Sequence, residues 1–327
     1  MGRILLIILV IATTGSSYAQ QRAVYSNFLL NDYYYNPAIA GSKNVHLANV
    51  SYRKQWVGFE GAPSLIMGNF YGSAKNEGKH GYGVSLISES TGITNNTTVY
   101  LNYAYHLKLG EKIKLGLGVK PGFMQYRVRL YDAQLADEGD EVLTGNIYSA
   151  SAFDMSAGFN LYSEKFFVMA SAHHILGKSI QFTSYNENLD FHYNAILGYN
   201  INFKKKKFVL QPSAMIKYTT PIPIQYSAML KGTYDNKYWL GFIYRSDDAI
   251  GVSAGITIKD RFKVAYGYDY TISGLRNFTS GSHEVMLSFV ITKNKPTLDE
   301  EDEELNNSIL EEMQKKIDER EQEEKNN

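Results

Sequence analysis

From residue 44 onward the chain alternates apolar and polar residues. Between Phe262 and Tyr270 one face reads Phe262, Val264, Tyr266, Tyr268, Tyr270 and the other Lys263, Ala265, Gly267, Asp269. Successive side chains of a strand point to opposite sides, so this period of two predicts a strand with one apolar face. The same division separates Ile250, Val252, Ala254, Ile256 and Ile258 from Gly251, Ser253, Gly255 and Thr257. It recurs with Val99, Leu101, Tyr103, Tyr105 and Leu107, with Phe153, Met155, Ala157, Phe159 and Leu161, and with Phe191, Tyr193, Ala195, Leu197, Tyr199 and Ile201. Each run spans nine residues or more. Roughly that length crosses a bilayer as a tilted strand, whereas strands of soluble proteins are usually about 5 to 6 residues long.

Fourteen such segments are predicted, over 44–54, 63–73, 81–90, 97–108, 112–126, 152–162, 165–175, 190–202, 207–218, 224–234, 238–246, 250–258, 261–272 and 282–292. The connections at 74–80, 109–111, 163–164, 202–206, 235–237 and 259–260 are short, while 127–151, 176–189 and 273–281 are long and belong to the opposite end. Short turns at one end and long loops at the other are the pattern of outer-membrane barrels, whose turns face the periplasm. A soluble β protein would turn a charged face outward. Here the polar faces are largely Gly, Ser, Asn and Ala with a few charges, as a crowded lumen requires. The reading is an all-β fold, a transmembrane antiparallel β-barrel of about 14 strands over residues 44–293. Its backbone diameter is roughly 28 Å from strand spacing and tilt, too wide for wall side chains alone to fill.

Composition agrees. Of 327 residues, 26 are Tyr, 16 Phe and 2 Trp, an aromatic load that suits membrane interfaces better than a Leu- and Val-rich soluble core. A mean hydropathy of −0.28 excludes a bundle of membrane helices. Arg3, the apolar run Ile4 to Ala12 and the small residues in Ser17-Tyr18-Ala19 predict a signal peptide over 1–19, cleaved after Ala19. Cysteine is absent, which excludes disulfides, thiolate metal sites and an N-terminal lipid on cysteine.

Two segments flank the barrel. Residues 20–43 carry Tyr25, Phe28, Tyr33, Tyr34 and Tyr35, are too irregular for a strand and contain Asn36-Pro37, so they are expected to lie inside the barrel as a plug or across its periplasmic mouth. Residues 294–327 form an acidic tail: positions 297–327 have a net charge of −9, leaving the body at +9, too dispersed to indicate nucleic acid. Leu305, Ile309, Met313 and Ile317 recur every four residues, predicting a short helical tail over 303–324. This narrow stripe belongs either to a solvated extension or to a segment that docks on a periplasmic partner or on the barrel's basic turns.

Enzyme readings are weak. His173-His174 with Ser171, and His283-Glu284, supply acid–base groups, but neighbours on a strand face opposite ways, and His174 is expected near a strand end at the interface. No Gly-x-Ser-x-Gly, His-Glu-x-x-His or phosphate loop is present, so neither catalysis nor a cofactor or metal is expected.

The segment Tyr35-Asn36-Pro37-Ala38-Ile39-Ala40-Gly41-Ser42, followed by Tyr52-Arg53-Lys54-Gln55-Trp56-Val57-Gly58-Phe59-Glu60-Gly61-Ala62-Pro63, resembles the opening of the PorP/SprF family of Bacteroidota outer-membrane proteins. Ser282-His283-Glu284-Val285-Met286-Leu287-Ser288-Phe289 resembles that family's ending, so the likeness covers about residues 20–293; the tail after Pro296 departs from it. The resemblance implies a part in type IX secretion or gliding, with partners in outer-membrane lipid, a secreted surface protein such as an adhesin, engaged through its C-terminal sorting domain, and a periplasmic secretion or motility component. It brings no catalytic residue. Residues 55–62 form the first outer loop, where Gly58 shapes the turn and Trp56 and Phe59 are either interfacial anchors or a partner-binding rim. Asn36 and Pro37 are assigned to placing the plug. The competing function is a solute porin.

Overall fold

The computed structural model describes residues 25–43, 45–74, 78–129, 147–177, 179–181, 186–220 and 222–293. The alternating stretches become β1 (Val45–Lys54), β2 (Ser64–Ser73), β3 (His80–Thr91), β4 (Thr94–Lys108), β5 (Lys114–Arg129), β6 (Ile147–Tyr162) and β7 (Phe166–His173). A separate small hairpin, β8 (Ser179–Gln181) with β9 (Asn186–Asn188), interrupts the series. The wall resumes with β10 (His192–Tyr199) and its continuation β11 (Ile201–Phe203) beyond Asn200, then β12 (Phe208–Thr219), β13 (Ile222–Tyr234), β14 (Tyr238–Arg245), β15 (Ala249–Ile258), β16 (Phe262–Thr271) and β17 (Ser282–Lys293).

All neighbours in the wall are antiparallel, and the first and last strands pair from Val45↔Lys293 to Lys54↔His283. The sheet order runs from β10 through β1 and β17 to β11, and the β10–β12 pairing closes it. Because β11 only prolongs β10, the result is a closed barrel of fourteen strands. Closure gives each strand a neighbour on both sides, so the wall satisfies its backbone N–H and C=O groups largely without water, although β6 outruns β7 and meets it only over Ala157–Tyr162.

The two faces divide as the alternation predicts. Val50, Leu101, Phe153, Leu197, Phe242 and Tyr270 are exposed on the outside, while Asn49, Asn102, Asp154, Ser213 and Asp269 are buried inside. Aromatic and histidine side chains pair across strands on the outer surface, as in His46 with Tyr82 and Tyr266 with His283. Such pairs belong to the girdles where a barrel meets the membrane surfaces.

The connections differ from expectation in one respect. At the end carrying both ends of the barrel, the turns 74–79, 109–113, 163–165, 204–207, 235–237 and 259–261 are short. At the other end only 55–63, 130–146, 174–191 and 272–281 are long; Gly92-Ile93, 220–221 and 246–248 are tight. The polar residues Thr94, Asn95 and Asn96, outside the predicted strand 97–108, continue β4, so that hairpin closes sooner than the periodicity indicated. The first of these ends is the barrel's turn end and the second its loop end.

Candidate functional site

The described N-terminal residues, 25–43, lie against the inner face of the wall. A helical turn, Asp32–Tyr35, is followed by a 3-10 turn, Pro37–Ile39, in which Tyr33, Tyr34, Tyr35, Pro37, Ala38 and Ile39 are all buried. Phe28, Tyr34 and Tyr35 join one apolar cluster with Met169, Ile196, Met215, Met229 and Ile243 of the wall. Methionine's flexible thioether fills irregular space, which suits packing against a segment that has no regular period.

At the loop end the segment begins in a buried ionic cluster. The Ser26 N–H donates to Glu284 Oε2 at 2.8 Å, and the Ser26 hydroxyl donates to Asp269. Arg53 donates to Ser26 Oγ at 2.7 Å and to Asp269 Oδ2 at 2.7 Å, and lies 3.4 Å from Glu284 Oε2. Arg245 reaches the same Asp269 oxygen at 2.8 Å and holds Asp248 at 2.5 Å. Asn31 adds a bond to Glu284 Oε1 at 3.1 Å. Two guanidiniums and two carboxylates, from β1, β14, β16 and β17, thus converge on one serine, and Asp248 holds the far side of Arg245. Buried charges persist only when paired and hydrogen-bonded, and here the N-terminal segment supplies part of the pairing.

Midway, Tyr33 stacks on Tyr71 with ring centroids 4.1 Å apart, and Lys120 lies 4.4 Å from the Tyr33 ring. Ser171 Oγ donates to the Tyr35 carbonyl at 2.6 Å. Asn36, the cap of the 3-10 turn, accepts from Ala38 N at 2.8 Å and donates to the carbonyls of Phe159 at 2.8 Å and Ala170 at 3.0 Å. Those two residues are register partners on β6 and β7, so one side chain grips both strands. The Pro37 carbonyl accepts from Asn102 Nδ2 at 3.1 Å.

Toward the turn end the wall makes room with glycine. A Cβ on Gly118 would lie 2.4 Å from Ala38 N, and one on Gly81 would lie 1.9 Å from the Ala40 carbonyl oxygen. No side chain fits there, so these strand glycines serve close backbone approach. His106 Nε2 donates to the Ala40 carbonyl at 2.7 Å, beside the ends of β3 and β4. Contacts therefore run from the outer ends of β1, β14, β16 and β17 to the turn end of β3 and β4.

Asn36 and Pro37 lie in this lumen contact. Trp56, Gly58 and Phe59 lie in the loop 55–63 at the loop end, where Trp56 takes φ +47° and Gly58 φ +96°. That loop is tied to 272–281 through Val57 N to Gly281 O at 2.7 Å, Ser280 N to Val57 O at 2.8 Å and Trp56 N to Ser282 Oγ at 3.1 Å. Gly92 N to Gly61 O, 2.8 Å, ties in the next hairpin. The joined loops present Phe59, 44% exposed, and Phe278, 66% exposed. Leu305, Ile309, Met313 and Ile317 lie outside the described residues.

The two histidines correct an expectation. His173 ends β7, and His174 turns into the left-handed region at φ +59°, so both are buried rather than facing opposite ways. His174 lies 3.0 Å from Asp154, and its ring packs edge-on against His192 at 5.4 Å, buried beyond the end of β7. His283 and Glu284, by contrast, do separate, the first outward to Tyr266 and the second into the ionic cluster. Among the described residues no group of three or more His, Asp or Glu side chains is placed to hold a metal ion.

Sequence reasoning missed the roles of Arg53, Arg245, Asp269 and Glu284. Their signal was a charge on an inward face otherwise built of small residues, as Asp269 is after Ala265 and Gly267.

Compared with known proteins, the chain matches the sequence model of the family described as type IX secretion system membrane protein PorP/SprF over residues 17–289. No curated protein matches the sequence. Similar solved structures include a Pseudomonas aeruginosa FadL homologue, 10% identical, with 79% of this chain and 93% of that one covered and a TM-score of 0.46. Another is the Acinetobacter baumannii outer-membrane protein Omp33, 9% identical, covering 76% and 100%, TM-score 0.43. The Pseudomonas putida toluene transporter TodX is 8% identical, covering 82% and 93%, TM-score 0.43.

Proposed function

The chain belongs to the PorP/SprF family of type IX secretion system membrane proteins and forms an outer-membrane barrel, and from that premise we propose that it is a non-enzymatic binding partner for a secreted surface protein, closed to solutes by its own N-terminal segment. The observation that carries this reading is the line of contacts from Ser26 at the loop end to Ala40 at the turn end. A lumen occupied along that line by a segment bonded to eight or so strands leaves little room for diffusion. Binding then falls to the loop end.

On this reading residues 1–19 are the signal peptide, 20–43 the plug, and the turn end faces the periplasm with the tail 294–327, in keeping with short periplasmic turns in such barrels. The partner is a surface adhesin held for export or retention through its C-terminal sorting domain, as the family implies. Phe59 and Phe278 supply the exposed aromatic rim, since aromatics anchor protein interfaces. The tail's Leu305, Ile309, Met313 and Ile317 stripe suits a periplasmic secretion or motility component that receives a helix in a groove.

The test is recovery of the full-length protein from its own outer membrane in mild detergent, with mass spectrometry of what accompanies it. A large secreted protein is expected with the native chain, and its yield should fall at least tenfold for Phe59→Asp with Phe278→Asp. Equal yields from both forms would contradict the rim, and a native protein that carries no secreted partner but conducts solutes would establish the porin instead.

A further inference from the structure

We propose that the chain's own acidic C-terminal residues, 297–327, dock in cis along a basic arc at the turn end formed by turns 204–207, 235–237 and 259–261. The arc is one-sided. These three turns carry Lys204, Lys205, Lys206, Lys207, Lys237, Lys259 and Arg261 against Asp235 and Asp260, a net of +5. The turns on the other half of the same end, 74–79, 109–113 and 163–165, interleave Lys75, Lys79, Lys112 and Lys165 with Glu77, Glu111 and Glu164, a net of +1.

The cations of the arc are presented to solvent. Lys205, Lys206, Lys259 and Arg261 are exposed. Among the described residues Asp235 pairs with Lys207, at 3.6 Å, and Lys237, at 3.1 Å. The Lys237 hydrogen bond holds the Asp235 carboxyl below its ordinary range.

Reach and starting point favour this half. The barrel ends at Lys293 on β17, and sheet order places β16, β15, β14, β13, β12 and β11 successively beside it. At about 4.8 Å per strand the arc extends about 29 Å from that point. Beyond Lys293 come Asp299, Glu300, Glu301, Asp302, Glu303 and Glu304, six consecutive acidic residues. An extended chain advances at most about 3.6 Å per residue, so Asp299 reaches about 20 Å and Glu304 about 40 Å, which brackets the arc. Opposite charges so tethered attract within a Debye length of about 8 Å at physiological salt. The geometry holds whichever solute or partner the loop end takes.

The native absence of cysteine makes the test clean. Full-length protein bearing spin labels at Asn236→Cys and Asn306→Cys, reconstituted in phosphatidylcholine nanodiscs, is expected to give a narrow distance distribution centred below about 25 Å, less than the arc's span. It should broaden and lengthen in 1 M salt, where the Debye length falls to about 3 Å, and in a variant with Lys205, Lys206, Lys259 and Arg261 all changed to Glu. The salt titration needs no change to the arc, so it stands even if that variant fails to assemble. A broad distribution at every salt concentration overturns the proposal, as does a short distance indifferent to salt. A signal that disappears on dilution with unlabelled protein gives contact between chains instead. A pair that separates when phosphatidylglycerol replaces phosphatidylcholine gives the arc to lipid headgroups; either result overturns docking in cis.

Discussion

Arg53 and Asp269 lie 2.7 Å apart, both nearly without solvent contact, although 216 positions separate them and β17 runs between their strands. Their bond bridges the seam where the first strand meets the last. The Ser26 hydroxyl donates to the same carboxylate and accepts from the same guanidinium, so the N-terminal segment is fastened where the barrel closes.

Arg53→Met should therefore destabilise more than a typical surface change. Removing one partner of a buried pair leaves charge uncompensated at a cost of about 3–5 kcal/mol. Arg245 still neutralises Asp269, so the lower end of that range is expected. The denaturant midpoint of the folded band on unheated gels reads the loss, and Glu284→Gln in the same chain should recover part of it. An unchanged midpoint would mean that the cluster contributes nothing.

Gly118→Val separates the wall from the segment. Valine favours strands, so β5 itself tolerates the change, but the new Cβ would press on Ala38 N at 2.4 Å. The expected outcome is an intact barrel with the segment displaced. Ala38→Cys, alone in a chain without cysteine, should resist maleimide in the native background and react at least tenfold faster with Gly118→Val. Gly68→Val, whose Cβ meets nothing within 4 Å, should leave the labelling rate unchanged.

Asn36 distinguishes donor from acceptor. Its amide donates to two carbonyls and its oxygen accepts one N–H. Asn36→Ala leaves buried groups unpaired, at about 1–3 kcal/mol each for those that find no water. Asn36→Asp keeps the shape but turns a carboxylate toward the carbonyls of Phe159 and Ala170, so it should be the worse of the two in the same denaturant assay. Equal midpoints for the two variants would contradict the bonding seen at β6 and β7.

Legibility in the sequence followed the physics of each face. The lipid face must be apolar at every second position, so Phe262 to Tyr270 announces its strand and the count of fourteen follows. The polar start of β4 at Thr94, Asn95 and Asn96 has no such face, and it was hidden. Inside, position in the chain says nothing about which wall residue meets which segment residue. Gly81 and Gly118 read only as small lumen residues until Ala40 and Ala38 are placed against them. The His173-His174 pair misled because alternation was carried one residue past the strand, into a backbone of φ +59°.

The most direct measurement is the conductance of the purified full-length protein in planar bilayers, compared with the same chain lacking residues 26–42. A barrel closed by its N-terminal segment should pass almost no current when intact and open to stable steps at least tenfold larger when the segment is removed. Large, steady steps from the intact protein, unchanged by the deletion, would contradict closure and return the barrel to the porins.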